Sequence, residues 1–528
     1  MKQNTRSFKM IPLMLAAMLT CAGCGQTDPT GAQNVNMKNG SVMYEADAAE
    51  YTGGYRAPIM NDIDWNTEEY SAITESSFMS VAANPLSTFS ADVDTASYTN
   101  LRRFIQNGET VPADAVRVEE MINYFHYSYP EPKAGEPFSV TTEIADCPWN
   151  PDTRLMMVGL KAQDIDMSER KPMNLVFLID VSGSMYSADK LPLVQKSFCM
   201  LTDELTEQDR VSIVTYAGDD SVALEGASGS DKLRIREVIE SLEAGGATAG
   251  AAGINTAYEI AKKNFIKNGN NRIILATDGD LNVGVSSEAE LKKLVTKQRK
   301  NGVFLSVLGF GTGNIKDNKM ETLADNGNGN YAYIDSELEA KRVLVEEMGG
   351  TLVTVAKDVK FQVEFNPAYI KGYRLIGYEN RTLAAEDFAD DTKDAGEIGA
   401  GHTVTALYEI AETDSAMDFA SSELKYSSAA TGAENGEFCT VSVRYKEPDG
   451  DESRLLTYPV NETAVKQEMS DNLRFASAVA GFGMLLRDSE YKGSTTKDMI
   501  LSMVTSRDTE NDPYKAEFTE LVRTAELG

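Results

Sequence analysis

Residues 174–184 have the sequence NLVFLIDVSGS, in which an unbroken apolar run ends at an aspartate and two serines. Such a run is typical of a parallel β-strand that is buried on both faces of its sheet. Further strand signals follow at Arg210–Tyr216, Asn271–Thr277, Val303–Phe310 and Asn330–Ile334. Between them, apolar residues recur at the spacing of amphipathic helices. Residues 170–350 are therefore predicted to form an α/β domain with a doubly wound, mostly parallel, Rossmann-like sheet.

The chain on either side of this domain has different patterns. Residues 84–165 contain two short helical patterns and two extended runs, which predicts a small α+β module packed against the α/β domain. After residue 350 the apolar period changes to two, and helical patterns close the chain, so we expect residues 351–528 to form a β-rich domain with helices. The apolar run at 475–486 is too short to span a membrane and suits a buried helix.

Composition excludes some classes of function. The 528 residues exceed a single domain of about 150 residues, and the hydrophobic content of 42% is ordinary for a globular protein. Asp and Glu number 81 against 50 Lys and Arg, which gives a formal net charge of −31. A chain this acidic is not attracted to a phosphate backbone, so we expect no nucleic acid among its partners. Cys147, Cys199 and Cys439 are too few and too far apart for a disulfide framework.

The N-terminus has the features of an export signal. Lys2, Arg6 and Lys9 precede or flank the start of an apolar run, Met10–Leu19, that is too short to cross a bilayer. The small residues directly before Cys24 resemble the lipobox of bacterial lipoproteins, whose cysteine is lipidated and becomes the first residue after cleavage. The alternative is an ordinary secretory signal.

The lipobox resemblance implies a signal peptide over residues 1–23, whose removal takes the formal net charge from −31 to −34. It also implies a palmitate-bearing lipid anchor at Cys24. Residues 24–83 are rich in small and polar residues without a sustained period, and we expect a flexible tether there. The expected location is the cell envelope, with the protein lipid-anchored to the outer face of a bacterial membrane.

Three short motifs lie in loops of the α/β domain, two of them at strand ends and one before a helix. They are DVSGSM at 180–185, GGAT at 245–248 and ATDG at 276–279. Their oxygen donors are the carboxylates of Asp180 and Asp278 and the hydroxyls of Ser182, Ser184 and Thr248. Hard oxygen donors without His or Cys favour Mg²⁺, Mn²⁺ or Ca²⁺ over zinc and copper.

The spacing at 180–184 has a physical consequence. Side chains at i, i+2 and i+4 in a loop after a strand can turn toward one point at the carboxyl edge of the sheet. Because hydroxyls are neutral, a metal held there stays strongly electrophilic. An octahedral ion such as Mg²⁺ keeps water where protein ligands are missing, and an Asp or Glu from another protein can displace that water.

The three motifs together resemble the metal-ion-dependent adhesion site of the von Willebrand factor type A (VWA) family. The resemblance implies that Ser182 and Ser184 bind the metal directly, and that Thr248 binds it directly or through water. Asp180 and Asp278 would act mainly through water. A narrower resemblance, to bacterial VWA lipoproteins of the YfbK type, is carried by STFSADVDTASY at 87–98 and by the region from 351 onward.

These observations predict a non-enzymatic surface protein whose protein partner supplies an Asp or Glu carboxylate to the metal. One alternative is a Mg²⁺-dependent hydrolase or phosphatase that uses the same site, and another is a structural scaffold in an envelope complex. DVDT at 92–95 is similar to the D-x-D-x-T loop of haloacid-dehalogenase-type phosphatases, but no buried apolar strand precedes it. A helix N-cap is the favoured interpretation of this motif.

Overall fold

The computed structural model describes most of the chain that follows the predicted tether. The described residues are 68, 70–91, 94–164, 170–218, 220–246, 250–279, 288–312, 316–347, 353–393, 395–419, 432–448 and 450–527. The predicted signal peptide, Cys24 and Thr248 lie outside them.

Strands and helices alternate through the middle of the chain and are grouped toward its ends. The strands are β1 (Met79–Ser80), β2 (Leu86–Ser90), β3 (Phe138–Asp146), β4 (Arg154–Ala162), β5 (Met173–Asp180), β6 (Arg210–Tyr216), β7 (Asp220–Ser228), β8 (Asn270–Thr277), β9 (Val303–Phe310), β10 (Tyr331–Ile334), β11 (Thr354–Phe365), β12 (Ile370–Ile376), β13 (Gly396–Gly399), β14 (Thr403–Glu412), β15 (Glu437–Lys446) and β16 (Ser453–Asn461). The helices are α1 (Ala96–Gln106), α2 (Val118–Asn123), α3 (Leu191–Asp203), α4 (Lys232–Glu240), α5 (Gly250–Lys263), α6 (Glu288–Arg299), α7 (Asp317–Asn326), α8 (Glu337–Lys341), α9 (Asp471–Leu486), α10 (Lys497–Met503), α11 (Ser506–Glu510) and α12 (Pro513–Thr524).

Strands β5 to β10 form the predicted α/β sheet. Their order is β10-β9-β8-β5-β6-β7, and all neighbouring pairs are parallel except β6 and β7. Helices α3, α4 and α8 cover one face and α5, α6 and α7 cover the other, so all eight residues of β5 are buried. The predicted fold class is confirmed. The antiparallel strand β7 was not expected, because only Leu224 and Ala227 of it are buried and they leave little apolar signal.

The segments before and after the α/β domain share two antiparallel sheets. One has the order β1-β12-β14-β4-β3, and in the other, β13-β11-β15-β16, β2 also pairs with β11. The sheets pack face to face through rings such as Phe365 against Tyr408 and Phe138 against Tyr445, with centroids 5.4 and 5.2 Å apart. The sequence patterns separate these segments, but the structure joins them in one β-sandwich.

Helices close the outer face of the first of these sheets. Side chains of α1, α2, α9, α10 and α12 form a core with sheet residues Leu155, Met157 and Leu407. The predicted buried helix at 475–486 is α9, and it is central to this core. Within the described ranges, no helix is long and apolar enough to cross a membrane. Cys147, Cys199 and Cys439 are free thiols, and all three are buried.

The predicted tether ends before residue 83. Strand β1 pairs with β12, Val81 is fully buried in the sandwich core, and Glu75 accepts a hydrogen bond from Arg487 over 2.8 Å. Strand β12 and Arg487 both lie in the C-terminal half of the chain. Residues 70–83 therefore have packing contacts that no local sequence pattern reveals.

An interdomain ion-pair cluster joins the α/β domain to the rest of the protein. It consists of Arg102, Asp335, Glu339, Arg342 and Glu517. Arg102 Nη2 contacts Glu339 Oε2 at 2.9 Å, and Arg342 Nη2 contacts Glu339 Oε1 at 2.7 Å. Burial alone would raise the pKa of Glu339, but Arg342 and Arg102 outweigh burial and lower it. Every charge in this cluster thus has an opposite charge within contact distance.

Candidate metal centre

The carboxyl edge of the α/β sheet carries the predicted site. Strand β5 ends at Asp180, and the chain continues into a 3-10 turn, Gly183–Tyr186. The Ser182 amide donates to Asp180 Oδ1 over 2.9 Å, which holds the loop over the end of the strand. The hydroxyl oxygens of Ser182 and Ser184 lie 3.0 Å apart. Asp180 and Ser182 are buried, whereas Ser184 is exposed to solvent.

The second motif packs its backbone against this loop. The Gly245 amide donates to the Val181 carbonyl over 2.8 Å, and the Gly183 amide donates to the Gly246 carbonyl over 3.0 Å. The first two residues of GGAT therefore meet the serine loop as the sequence suggested. Thr248 lies outside the described residues, and its role stays a prediction.

The third motif reaches the same edge because β8 is the parallel neighbour of β5. Thr277 Oγ1 donates to Asp180 Oδ2 over 3.4 Å and accepts from the Gly279 amide over 3.2 Å. Asp278, the next residue after Thr277, is also buried. The structure thus brings together Asp180, Ser182, Ser184 and Asp278, and it adds Thr277, which the sequence did not single out as functional.

Two buried carboxylates now share one edge of the sheet. Burial raises the pKa of Asp180 to about 6, and the charge of Asp278 adds to the increase, whereas hydrogen bonds from Ser182 oppose it. Burial also raises the pKa of the neighbouring Tyr216 hydroxyl well above its usual value, and Asp180 contributes to that increase. Because desolvated carboxylates of like charge repel each other, this edge favours a cation.

The site is supported from below by helix α5. Gly253 of this helix lies against Tyr216 at the end of β6, and a Cβ added to Gly253 would lie 2.7 Å from the Tyr216 Cβ. A side chain at this position would push the helix away from the sheet. Gly253, five residues after the GGAT motif ends, therefore allows α5 to pack closely against β6 beside the site.

A lysine that the sequence patterns did not indicate lies within the site. Lys190 Nζ donates to Asp278 Oδ2 over 2.9 Å. The Lys190 side chain is only 11% exposed, and the Asp278 side chain is fully buried. A lysine just before an amphipathic helix usually extends into solvent, so nothing in its sequence context marks this one as functional.

The oxygen donors at this edge fit a hard divalent cation. Two ligands at right angles and about 2.0–2.1 Å from Mg²⁺ lie about 2.8–3.0 Å apart, which is the separation of the Ser182 and Ser184 hydroxyls. Hydroxyl and carboxylate oxygens are also the ligand types preferred by Mn²⁺ and Ca²⁺. Among the described residues, no group of three or more His, Cys, Asp or Glu side chains is placed to hold a metal. A metal at this edge would use Ser182 and Ser184 as direct ligands, near the carboxylates of Asp180 and Asp278.

The second aspartate of DVDT has a structural role. Asp94 accepts a hydrogen bond from the Tyr331 amide over 2.9 Å and pairs with Arg381 at 3.0 Å. Thr95 occupies the N-cap position of α1, as predicted, but its hydroxyl accepts from Arg342 and makes no cap hydrogen bond. Asp94 thus links the start of the first helix to the α/β domain and the sandwich, which is a structural role.

Three family models match the chain in succession. One described as "von Willebrand factor" matches residues 64–157, one described as "von Willebrand factor type A domain" matches 174–347, and one described as "Uncharacterized protein YfbK, C-terminal" matches 350–527. The "Uncharacterized protein YfbK" of Escherichia coli (strain K12) is 45% identical over 473 residues, which cover 87% of this chain and 81% of that protein. The chain belongs to the VWA family, in its YfbK-type group.

More distant VWA similarities cover shorter parts of the chain or have lower identity. Inter-alpha-trypsin inhibitor heavy chain H3 of Homo sapiens is 28% identical over 196 residues, which are 35% of this chain and 22% of that protein. Among solved structures, the von Willebrand factor type A protein from Catenulispora acidiphila matches with a TM-score of 0.41 and 14% identity. That match covers 76% of this chain and 91% of the solved chain.

Proposed function

We propose that this VWA protein is a membrane-tethered surface protein that binds a protein partner through a divalent metal. The metal is Mg²⁺, or alternatively Mn²⁺ or Ca²⁺, and its ligands or water-mediated contacts come from Asp180, Ser182, Ser184, Thr248 and Asp278. The partner supplies an Asp or Glu carboxylate as a further ligand. The protein acts by binding and assembly rather than by catalysis, and a lipid on Cys24 holds it in the cell envelope.

The observation that carries this proposal is the pair of serine hydroxyls at the sheet edge. They are separated by 3.0 Å, one is buried and the other exposed, so a metal they hold would face solvent on the Ser184 side. Because both hydroxyls are neutral, they leave the metal able to attract a carboxylate from outside.

A neighbouring aromatic residue supports a protein as the partner. Tyr186 is 83% exposed and lies two residues after Ser184 in the same turn. Tyrosine is enriched at the centres of protein interfaces, where it adds apolar area around a polar contact. The VWA relatives likewise suggest adhesion or protein interaction as the general role of the fold.

The enzyme alternative has less support. A hydrolase would need a general base beside the metal, within hydrogen-bond reach of an attacking water. The carboxylates at the described part of the site are Asp180, which accepts from Ser182 and Thr277, and Asp278, which is paired with Lys190. Both are engaged in holding the site together.

The test is capture of envelope proteins by the purified protein in Mg²⁺ and in EDTA. We expect a partner that is retained in Mg²⁺ and lost in EDTA, and that is lost when Ser184→Ala replaces the wild type. Ser187→Ala, an exposed serine three residues further on, is the matched control and should retain the partner. Retention of the partner by the wild type in EDTA as well as in Mg²⁺, or equal retention by Ser184→Ala in Mg²⁺, would contradict the proposal. Phosphate-ester turnover that requires Ser184 would favour the hydrolase.

A further inference from the structure

Backbone hydrogen bonds fix the position of Lys190. Lys190 lies directly before α3, where its amide donates to the Ser187 carbonyl over 3.0 Å and its carbonyl accepts from the Val194 amide over 2.9 Å. These bonds fix the backbone between the serine loop and the helix. The side chain therefore starts from a rigid point six residues after Ser184.

The stem of this lysine runs past the end of β9 toward Asp278. Gly311 has a φ of 75°, and a Cβ added there would overlap the Cγ and Cε atoms of Lys190. The Gly311 carbonyl accepts a hydrogen bond from the Tyr333 hydroxyl over 2.8 Å, which holds this backbone in place. Gly311 thus leaves a channel that the lysine stem fills, and the channel directs the ammonium group into the site.

The sequence motifs suggest a site with two negative charges, and the structure adds one positive charge. Asp180 and Asp278 carry two negative charges when ionised, and the ammonium group of Lys190, 2.9 Å from Asp278 Oδ2, offsets one of them. A buried carboxylate without a partner destabilises a folded protein, so this contact lets the site stay folded without a metal. The same ammonium group repels a divalent cation bound nearby.

We propose that Lys190 is a positioning residue that acts as an internal counter-ion of the metal site. It stabilises Asp278 when no metal is bound, it lowers the affinity of the site for Mg²⁺, and it leaves the bound metal with a net positive charge that attracts a partner carboxylate. This inference rests on the proposed metal-binding function. It adds that metal occupancy is moderated by a cation of the protein itself.

The test compares Lys190→Met with Lys196→Met by calorimetric titration with Mg²⁺. Lys196 lies on the same helix and pairs with Glu337 at the surface, so its loss changes the net charge equally at a distance from the site. We expect Lys190→Met to bind Mg²⁺ about tenfold more tightly than the wild type, because one repulsive charge is gone, and Lys196→Met to bind as the wild type does.

Thermal unfolding gives a second readout. Without metal, Lys190→Met should unfold at a lower temperature than the wild type, and Mg²⁺ should raise its unfolding temperature by more than it raises that of the wild type. The double variant Lys190→Met/Asp278→Asn removes both charges and should be more stable without metal than Lys190→Met alone. If Lys190→Met fails to fold, folding of the double variant would support the pairing with Asp278, and failure of both would contradict it.

The two proposals fail in different ways. If the wild type binds Mg²⁺ and Lys190→Met binds it with the same or lower affinity, the counter-ion role is wrong while the metal site stands. If the double variant is no more stable than Lys190→Met, the pairing with Asp278 is not what Lys190 provides. If the wild type binds no divalent cation, both the metal site and the inference built on it are rejected.

Discussion

Two regions of this molecule bury charged side chains, and they do so for different ends. In the interdomain ion-pair cluster, Glu339 is matched by two arginines, and the charges lock three segments of the chain together. At the sheet edge, Asp180 and Asp278 are buried, and Lys190 pairs with Asp278 at 2.9 Å. The cluster is structural because each of its carboxylates contacts an arginine. At the sheet edge, Asp180 is instead buried beside neutral hydrogen-bond donors, Ser182 and Thr277, and such a carboxylate favours a cation.

The largest expected effect comes from breaking the matched cluster. Arg102→Met leaves Glu339 and Asp335 buried with less compensation, and we expect the free energy of unfolding to fall by about 3–5 kcal/mol in urea titrations. Arg236→Met removes a surface pair with Asp203 and should cost far less than Arg102→Met. Equal losses in the two variants would show that burial does not distinguish the pairs.

The second effect separates stability from metal binding at the sheet edge. Asp180→Asn keeps an oxygen that can accept the Ser182 amide, and it removes a charge whose pKa burial raises to about 6. Because the pKa of Asp180 is higher in the folded state than in the unfolded state, ionisation of this acid lowers the stability of the wild type progressively as pH rises through about 6. At pH 7 and without metal, Asp180→Asn should therefore be more stable than the wild type by up to about 2 kcal/mol. Its affinity for Mg²⁺ should fall by about tenfold to a hundredfold.

That prediction is checked by urea unfolding in EDTA and by calorimetry with Mg²⁺ on the same preparation. A loss of stability as large as that of Arg102→Met would mean that Asp180 belongs to a structural network like the ion-pair cluster. Unchanged Mg²⁺ affinity would remove Asp180 from the metal site.

The smallest effect concerns Glu119, a buried carboxylate on helix α2. Glu119 is buried, its Oε2 makes no hydrogen bond, and burial together with Glu379 and Glu120 raises its pKa to about 7. An acid with a raised folded pKa stabilises the fold at low pH and loses that contribution as pH rises through about 7.

Glu119→Gln should therefore be more stable than the wild type at pH 8 by about 1–2 kcal/mol, with little difference at pH 5. Unfolding titrations at the two pH values measure this difference. Glu109→Gln, an exposed residue at the end of α1, is the control and should show no pH-dependent gain. A constant difference between pH 5 and pH 8 would assign the effect to packing instead of charge.

The sequence predicts the α/β domain closely because its signals are local. The predicted strands Arg210–Tyr216 and Val303–Phe310 agree with β6 and β9 to the residue, since buried parallel strands are continuous apolar runs. The four described site residues converge because the two motifs that carry them, at 180–185 and 276–279, follow the adjacent parallel strands β5 and β8. Metal binding itself, and the role of Thr248, stay predictions.

What the sequence does not predict depends on partners that are distant along the chain. Strand β2 has the sequence LSTFS, and only its pairing with β11, more than two hundred residues later, makes it a strand. Lys190 is directed into the site by Gly311, whose importance depends on a conformation that no pattern encodes. Such contacts arise from the assembled fold and not from spacing within one segment.

The most direct test of the central claim is calorimetric titration of Mg²⁺ into the purified wild-type protein and into Ser184→Ala, with Ser187→Ala as the control. The account predicts one binding event in the wild type and in Ser187→Ala, and its loss in Ser184→Ala, with all three proteins unfolding within about 1 kcal/mol of one another in EDTA. Binding of equal strength in Ser184→Ala, or no binding of Mg²⁺, Mn²⁺ or Ca²⁺ by the wild type, would contradict it.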